Sequence, residues 1–275
     1  MDIESHGTNP AEHIESKYIL YGVVSSFLFF QIVHKIVVSF GSPSAVRESD
    51  HWKWKNILIS WIHSVICSLW ITYCCYTHPS MFDDLITHID MASFLLATFS
   101  TGYFIFDLID YIQSGQALKD WEVCLHHLVV ISIFSYHMAA NQCIGYTTFV
   151  LMVEYNSIFL HGRKLLKLAK KISIDHWVFR CNSVLNVVTF VIFRFGVVLK
   201  VMVGTYNSKT RFPALYYWCL VISVLIMTII NVVLFWRLLK SDYYTYKKIQ
   251  NPGSMNGKVS NGNGVAVNNN SNKHN

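Results

Sequence analysis

The stretch EVCLHHLVVISIF, from Glu122 to Phe134, places two adjacent histidines, His126 and His127, inside a run that otherwise suits the interior of a membrane. An ionisable side chain within a membrane-spanning helix is costly unless it faces protein or water, so it marks a functional site by default. The stretch therefore predicts a membrane-spanning helix with a polar chamber beside it.

The composition places the whole chain among membrane proteins. Apolar residues make up 53% of it and charged residues only 14%, which is too apolar for an ordinary soluble domain. The net charge is +6, but the basic residues lie at the ends of apolar runs, a pattern typical of membrane orientation. We therefore predict no nucleic-acid partner. No cofactor is predicted, because the chain has no Gly-rich phosphate-binding loop.

A metal site is not predicted either. The seven cysteines form no CxxC pair and no zinc-type spacing. Adjacent histidines lack the i, i+4 spacing that brings two rings to one ion from one helix. We interpret the cysteines as buried small apolar residues.

Apolar runs of about 20 residues, the length that crosses a bilayer, predict seven membrane-spanning helices. The runs cover residues 18–38, 56–76, 91–112, 121–139, 144–161, 180–203 and 214–236. The fifth run is short and contains Glu154 and Asn156, so six spans is the alternative count. The predicted fold class is an all-α polytopic membrane protein.

Lysine and arginine are unequally divided between the predicted loops. Thirteen lie on one side, whereas only Lys17, Lys209 and Arg211 lie on the other. Because short cytosolic loops carry the basic excess, we predict that the N-terminus lies outside and the C-terminus in the cytosol. After Asp242 the sequence becomes rich in Asn, Gly and Ser, and residues 243–275 are predicted to be a disordered cytosolic tail.

Polar side chains of five spans share nearly one predicted depth. At about 1.5 Å per helical residue they lie roughly 8–10 Å from the cytosolic end of their spans. These side chains are His63, Asp107, His126, His127, Glu154 and Asn231, with Asp110 nearer the surface. Unrelated structural groups have no reason to share a depth, whereas a common chamber open to the cytosol requires it.

The histidines also have structural interpretations. Neighbouring residues of a helix point about 100° apart, so His126 and His127 cannot both face one substrate atom. One of them can simply hydrogen-bond a neighbouring helix. His63 is alone on its helix and suits an interhelical hydrogen bond more than catalysis.

The charged side chains allow two interpretations as well. Asp107 and Asp110 share a helix face and suit an acid–base pair or a counter-charge for a histidine, but Asp110 is also placed to be merely solvated. Arg194 lies in mid-span and requires a partner or a phosphate. A pair with Glu154, or extension of the arginine towards the interface, is the simpler alternative.

Several segments, taken together, resemble the TLC-domain family of membrane proteins, which includes the ceramide synthases. They are WKWKNILISWIHS from Trp52, GYFIFDLIDYIQSGQ from Gly102, WEVCLHH from Trp121, VEYNSIFL from Val153 and LLKSD from Leu238. The likeness is strongest to the small animal TLC-domain proteins that regulate plasma-membrane phospholipid composition and fluidity. It implies a TLC domain over residues 46–242, in which spans two to seven form a six-helix barrel. Residues 1–45 then hold an outer N-terminus and one additional membrane anchor.

The resemblance also implies a site. In the ceramide synthases the matching histidine pair resembles the acyl-transfer centre, which implies catalytic roles for His126 and His127, with Asp107 beside them. The polar chamber would be completed by the binding residues His63, Asp110, Glu154, Asn156 and Arg194. Those enzymes carry paired aspartates one span later, where this chain has Glu154 and Ser157, so ceramide synthesis itself is not implied.

What the resemblance implies instead is a regulator that limits incorporation of long polyunsaturated acyl chains into phospholipids. Its expected partners are membrane lipids or acyl chains, and its expected location is the plasma membrane, with the endoplasmic reticulum membrane as the alternative. An acyltransferase that uses acyl-CoA as co-substrate is the alternative function, so whether the chain is an enzyme stays open. A proton-coupled carrier is disfavoured, because the chain has no inverted repeats and no Gly or Pro breaks in its spans.

Overall fold

The computed structural model describes residues 14–169 and 176–250, and every regular element in these ranges is a helix. The helices are α1 (Lys17–Phe40), α2 (His51–Thr77), α3 (Met91–Gln113), α4 (Trp121–Ala139), α5 (Ile144–Leu151), α6 (Glu154–Ala169), α7 (Trp177–Thr189), α8 (Gly196–Asn207) and α9 (Ala214–Gln250). A π-helical turn, Phe190–Phe195, joins α7 to α8 in one continuous segment. Short 3-10 turns lie at Glu48–Asp50, Pro79–Phe82 and Lys209–Arg211.

Six helical segments in the described ranges are long and apolar enough to cross a membrane. They are Lys17–Phe40, Glu48–Thr77, Met91–Gln113, Trp121–Ala139, Trp177–Asn207 and Ala214–Tyr244. Their bounds follow the apolar runs because a helix in lipid must satisfy its backbone hydrogen bonds internally over the whole hydrocarbon thickness. The prediction of an all-α polytopic membrane protein is confirmed.

The fifth predicted span, residues 144–161, is built from two short helices, α5 and α6. Thr147 in α5 bonds His137, which in turn bonds Tyr216 near the start of α9. Arg163 in α6 pairs with Asp242 far along the same helix α9. The two short helices therefore accompany α9 from Tyr216 to Asp242, about 39 Å at 1.5 Å per residue. Together they run the length of α9, although neither is among the six helices of the described ranges that are long and apolar enough to cross a membrane.

The five later spanning segments and the α5–α6 pair form a closed ring. Going round it, α2 packs against α3, α3 against α4, α4 against α9, α9 against α8, α7 against α6, and α6 against α2 again. A ring of this kind leaves an interior shared by all six members. This arrangement agrees with the six-helix barrel that the family resemblance implied for spans two to seven.

Contacts in the loops and between helix ends distinguish two ends of the ring. At one, which we call the outer end, the Asn141 side chain holds the backbone of Ile14 through two hydrogen bonds, and Asp84 pairs with Arg211. At the other, the inner end, the contacts are Trp52–Asp110, Glu122–Arg237 and Arg163–Asp242. The start of α1 thus lies at the outer end and the last part of α9 at the inner end. The orientation predicted from the basic residues assigns the inner end to the cytosol.

Helix α1 stands outside the ring and packs closely on α3. A Cβ atom added to Gly102 would lie 2.5 Å from the carbonyl oxygen of Val23, so only glycine permits this approach. Ser26 in α1 donates a hydrogen bond to the carbonyl oxygen of Phe99. Small residues of this kind are the usual means by which helices approach each other in a membrane.

The predicted tail begins too early. Helix α9 continues past Asp242 to Gln250, so residues 243–250 are helical. The prediction ended the structured part where apolar residues end, but tyrosine and lysine can extend a helix beyond the lipid, since helix formation does not require an apolar sequence. The rest of the predicted tail, residues 251–275, and the first 13 residues lie outside the described residues.

Candidate functional site

An elongated cavity of about 130 Å³ lies inside the ring. This is several times the space that one water needs. Valine, leucine, isoleucine and phenylalanine side chains from α3, α4, α5, α8 and α9 make most of its wall. Polar residues lie towards its two ends: His137, Thr147 and Tyr216 at the outer end, and His126, Glu154, Arg194 and Asn231 towards the inner end. Helix α9 rises about 22 Å from Tyr216 to Asn231, so the cavity has the length and polarity that suit an acyl chain with a polar terminus.

Arg194 is buried in the cavity wall and is carried by the π-helical turn between α7 and α8. Its guanidinium donates three hydrogen bonds, to Asn156 Oδ1 at 2.7 Å, Asn231 Oδ1 at 3.1 Å and Ser157 Oγ at 3.0 Å. The extra residue in a π turn changes which side chains face inward, and such turns are frequent at functional sites. The arginine thus links the π-helical turn to α6 and α9 and places its positive charge at the cavity.

Glu154 begins α6, directly after the break that separates it from α5. Its carboxylate accepts a hydrogen bond of 2.6 Å from Ser64 Oγ, and the Nδ1 atom of His63 lies 3.9 Å away. In the described part of the chain Glu154 and Arg194 form no direct ion pair within 4.0 Å. The simple pairing of these two residues considered from the sequence is therefore wrong: uncharged side chains hold the arginine instead.

His63 is enclosed rather than presented to the cavity. Only 1% of its surface is exposed, and its ring stacks on Tyr103 with 3.8 Å between centroids. Its Nε2 atom lies 3.1 Å from the Cys67 sulfur. This geometry fits the interhelical contact that the sequence suggested for a lone histidine.

The two adjacent histidines face different surroundings. His126 lines the cavity and forms no hydrogen bond within the described residues. His127 is buried against Phe104 and Asp107, with its Nδ1 atom 3.5 Å from Asp107 Oδ2. That Nδ1 atom is buried and makes no hydrogen bond to the described part of the chain. The two rings point in different directions because neighbouring side chains of a helix are about 100° apart. Only His126 can therefore touch a molecule in the cavity.

Asp107 and Asp110 belong to a network beside the cavity, not in its wall. Asn56 of α2 donates to Asp107 at 2.7 Å and to Asp110 at 3.2 Å. The indole of Trp52 also donates to Asp110, at 3.0 Å. The two carboxylates therefore share one amide, and Asp110 is held by protein groups rather than merely solvated. Asp107 can act on His127 but does not line the cavity with His126.

The structure thus sorts the predicted site residues into three groups. His126, Glu154 and Arg194 line the cavity. Asn156 holds Arg194 while its own amide donates to Asn186 and Thr189. The remaining residues, His63, His127, Asp107 and Asp110, lie behind the wall. The shared depth indicated the right helices, but depth alone could not indicate which side of each helix faces inward.

Three polar residues on α6 were not identified as site residues from the sequence. Ser157 binds Arg194, while His161 and Lys164 follow on the same face towards the inner end. The signal was present as the spacing Glu154, Ser157, His161 and Lys164, which repeats every three or four residues. It was missed because the predicted span ended at 161 and Lys164 was interpreted only as an orientation charge.

Comparison with known proteins shows which family the chain is similar to. The family described as TLC domain matches residues 53–240. TLC domain-containing protein 2 of Danio rerio is 33% identical over 230 residues, which cover 84% of this chain and 92% of the relative. TLC domain-containing protein 1 of Homo sapiens is 28% identical over 226 residues, covering 80% and 89%. TLC domain-containing protein 4 A of Dictyostelium discoideum is 26% identical over 193 residues, covering 68% and 72%. No solved structure matches the chain.

Proposed function

The chain belongs to the TLC-domain family of membrane proteins, and on that premise we propose that it binds the acyl chain of a membrane lipid in its cavity. Through this binding it regulates phospholipid acyl-chain composition and limits incorporation of long polyunsaturated chains. Its place of action is the plasma membrane, with the endoplasmic reticulum membrane as the alternative. The result of its action is a change in membrane fluidity.

The single observation that carries the proposal is the elongated apolar cavity with polar side chains at its inner end. Ligand sites are typically apolar pockets with a few polar groups that fix orientation. An acyl chain matches this pattern, since its methylene groups contact the apolar wall and its polar terminus reaches His126 or Arg194. Because the proposed function limits long polyunsaturated chains, a saturated or monounsaturated chain is the expected occupant.

The test fills the cavity without changing its charges. Val201 of α8 lines the cavity, whereas Val203 on the same helix is 49% exposed on the outside. Cells that lack the protein are supplied with the natural chain, with Val201→Trp, or with the matched control Val203→Trp, and phospholipid acyl chains are profiled during saturated and polyunsaturated fat feeding. We expect the natural chain and Val203→Trp to restore the profile and Val201→Trp to leave it altered.

Two outcomes would overturn the proposal. If deletion leaves the phospholipid acyl composition of the cells unchanged with both kinds of added fat, the protein does not regulate that composition. If Val201→Trp restores the profile as well as Val203→Trp while both reach the membrane in equal amount, the cavity is not where the protein acts.

A second function, acyl transfer from acyl-CoA, is favoured by one observation: His126 lines the cavity with no hydrogen-bond partner among the described residues. A free imidazole can remove the proton of an acceptor amine or hydroxyl while that acceptor attacks the thioester carbonyl and the thiol leaves. Asp107 would not contact the substrate in this scheme, because it faces His127.

Purified protein incubated with acyl-CoA and either a lysophospholipid or an amine acceptor distinguishes the two functions. Transfer that disappears in His126→Ala and persists in His127→Ala would establish the enzyme. The regulator without catalysis predicts no product with any acceptor, even though acyl lipid remains bound.

A further inference from the structure

Helix α6 carries one polar face from the cavity to the inner end of the ring. Glu154, Ser157, His161 and Lys164 recur at intervals of three or four residues, so their side chains share a face. Glu154 lines the cavity, and Ser157 binds the cavity arginine. From Glu154 to Lys164 the helix rises about 15 Å. The face therefore extends from the cavity wall to the predicted cytosolic side.

Two groups on this face have no partner among the described residues. The Nδ1 atom of His161 is buried and makes no hydrogen bond to any of them. Lys164 is partly buried, and within the described ranges it forms no hydrogen bond and no ion pair. A buried nitrogen without a partner, as in His161, is uncommon in folded proteins, because it costs the free energy of its lost hydration, whereas the Lys164 ammonium is not among the buried atoms. A ligand that accepts hydrogen bonds would remove this cost.

The charge around Lys164 indicates what kind of ligand this is. The cations Lys53, Arg163 and Arg194 act on it with like charge, and Asp120 is the opposing charge. Lys53 is exposed, Arg163 is paired with Asp242, and Arg194 is held by uncharged side chains. Lys164 is thus the partly buried cation of this group that has no partner among the described residues, and an anion suits a charge of this kind. Glu154, the carboxylate on the same helix face, is engaged by Ser64 about 15 Å further in.

We propose that Lys164 and His161 bind the phosphate of an acyl-carrying molecule whose chain lies in the cavity. The inference rests on the proposed function, since the chain must enter the same cavity. Lysine is a common phosphate ligand and provides three hydrogen-bond donors. A free fatty acid would place its carboxylate at the level of Arg194, whereas Lys164 lies about 10 Å beyond Ser157, the arginine's partner on α6. A molecule with a spacer between chain and phosphate reaches both.

Two molecules supply this shared chemistry: a phospholipid, through its glycerol phosphate, and acyl-CoA, through its pantetheine-linked phosphates. Both carry an acyl chain, a polar spacer and a phosphate. The site is the same for either source, and the competition experiment below separates them.

The test measures binding of two fluorescent lipids to the purified full chain in dodecyl maltoside. One is phosphatidic acid with a pyrene-labelled chain, and the other is the diacylglycerol with the same chain and no phosphate. Lys164→Gln removes the proposed charge, and Lys119→Gln removes an exposed lysine on the same predicted side. We expect Lys164→Gln to weaken phosphatidic acid binding on the order of tenfold, as loss of a charged hydrogen bond does. Diacylglycerol binding should stay unchanged, and Lys119→Gln should bind both lipids as the natural chain does.

A charge-preserving variant protects the test against misfolding. Lys164→Arg should retain most of the affinity for phosphatidic acid. Unchanged phosphatidic acid binding in Lys164→Gln, or equal loss in Lys164→Arg and Lys164→Gln, would contradict the phosphate site. If Val201→Trp binds diacylglycerol as well as the natural chain does, the cavity proposal fails instead, so the two failures are distinguishable.

Competition identifies the source of the phosphate. Coenzyme A without an acyl chain is added to the complex with phosphatidic acid. Displacement from the natural chain, but only weakly from Lys164→Gln, assigns the site to coenzyme A phosphates. Retention of phosphatidic acid in the presence of coenzyme A assigns it to the lipid headgroup, provided that Lys164→Gln still weakens the lipid.

Discussion

His137 and His126 both line the cavity, and they lie at its opposite ends. At the outer end His137 uses both ring nitrogens, with Nδ1 2.8 Å from Thr147 Oγ1 and Nε2 2.7 Å from Tyr216 Oη. At the inner end His126 makes no hydrogen bond within the described residues. The same side chain, on the same helix and beside the same cavity, is thus saturated at one end and free at the other.

The difference separates a histidine that holds helices together from one that is available to a ligand. His137 links α4, α5 and α9, so its hydrogen bonds contribute to stability and leave nothing for a substrate. His126 makes no such interhelical hydrogen bond, so the donor and acceptor atoms of its ring are available to a molecule in the cavity. The variants below test this division, beginning with the largest expected effect on folding.

Arg194, at the inner end, is like His137 in that protein side chains accept the hydrogen bonds it makes, three in number. Arg194→Met leaves Asn156, Asn231 and Ser157 without their donor, and we expect a loss of roughly 2–4 kcal/mol in the free energy of unfolding. Thermal unfolding in detergent, followed by tryptophan fluorescence, measures it. Lys200→Met removes a charge from an exposed position of α8 and should change little. Equal stability of the two variants would show that the arginine is held for a ligand rather than for the fold.

His137→Phe removes both hydrogen bonds of the outer histidine while retaining an aromatic ring. The hydroxyl groups of Thr147 and Tyr216 lose a partner, so we expect a loss of roughly 1–3 kcal/mol. The same unfolding measurement applies. His137→Gln can replace part of the hydrogen bonding and should recover part of the loss; a His137→Phe protein as stable as the natural chain would remove the basis of the comparison.

His126→Ala should have the opposite character. Because no hydrogen bond is lost, the free energy of unfolding should change by no more than about 1 kcal/mol. Restoration of the phospholipid profile in deleted cells should nevertheless fail. His127→Ala, which alters a side chain behind the wall next to Asp107, serves as the neighbouring comparison in the same assay. If His126→Ala restores the profile fully, the free histidine has no role in the function.

The smallest effect is expected at the exposed pair of the outer end, Asp84 and Arg211. The hydrogen bond from Arg211 lowers the pKa of Asp84 to about 2. A lowered pKa means that the pair stabilises the fold above the usual aspartate value of about 3.9 and that this contribution disappears as the pH falls towards 2. Because both side chains are solvent-exposed, Arg211→Gln should cost only ~0.2–1 kcal/mol. The difference should be seen at pH 7, shrink below about pH 4, and be absent in Lys209→Gln; a difference that grows in acid would contradict the assignment.

The helices could be predicted from the sequence where apolar length decides them. Residues 91–112 and 121–139 were predicted, and Met91–Gln113 and Trp121–Ala139 are found. The break after Leu151 was not predicted, since residues 152 and 153 are methionine and valine and carry no glycine or proline signal. The π-helical turn at Phe190–Phe195 was not predicted either, because a hydropathy pattern does not record the hydrogen-bond register within a helix.

The sequence predicted how deep in the membrane the site residues lie better than it predicted which side of each helix faces the cavity. Shared depth brought out Glu154 and the histidine pair, and the angle between adjacent helix residues correctly separated His126 from His127. That Asp107 faces His127 and not the cavity depends on how α3 is rotated against α2 and α4. Such rotation is set by packing between helices, as in the Asn56–Asp107 hydrogen bond, and a single sequence does not contain it.

The most direct test of the central claim is to identify the lipid that remains bound to the purified protein by native mass spectrometry. The natural chain and Val203→Trp should carry acyl lipid rich in saturated or monounsaturated chains, and Val201→Trp should be purified without it at equal folded yield. A natural chain free of lipid, or the same bound lipid in Val201→Trp, would contradict the claim that the cavity holds an acyl chain.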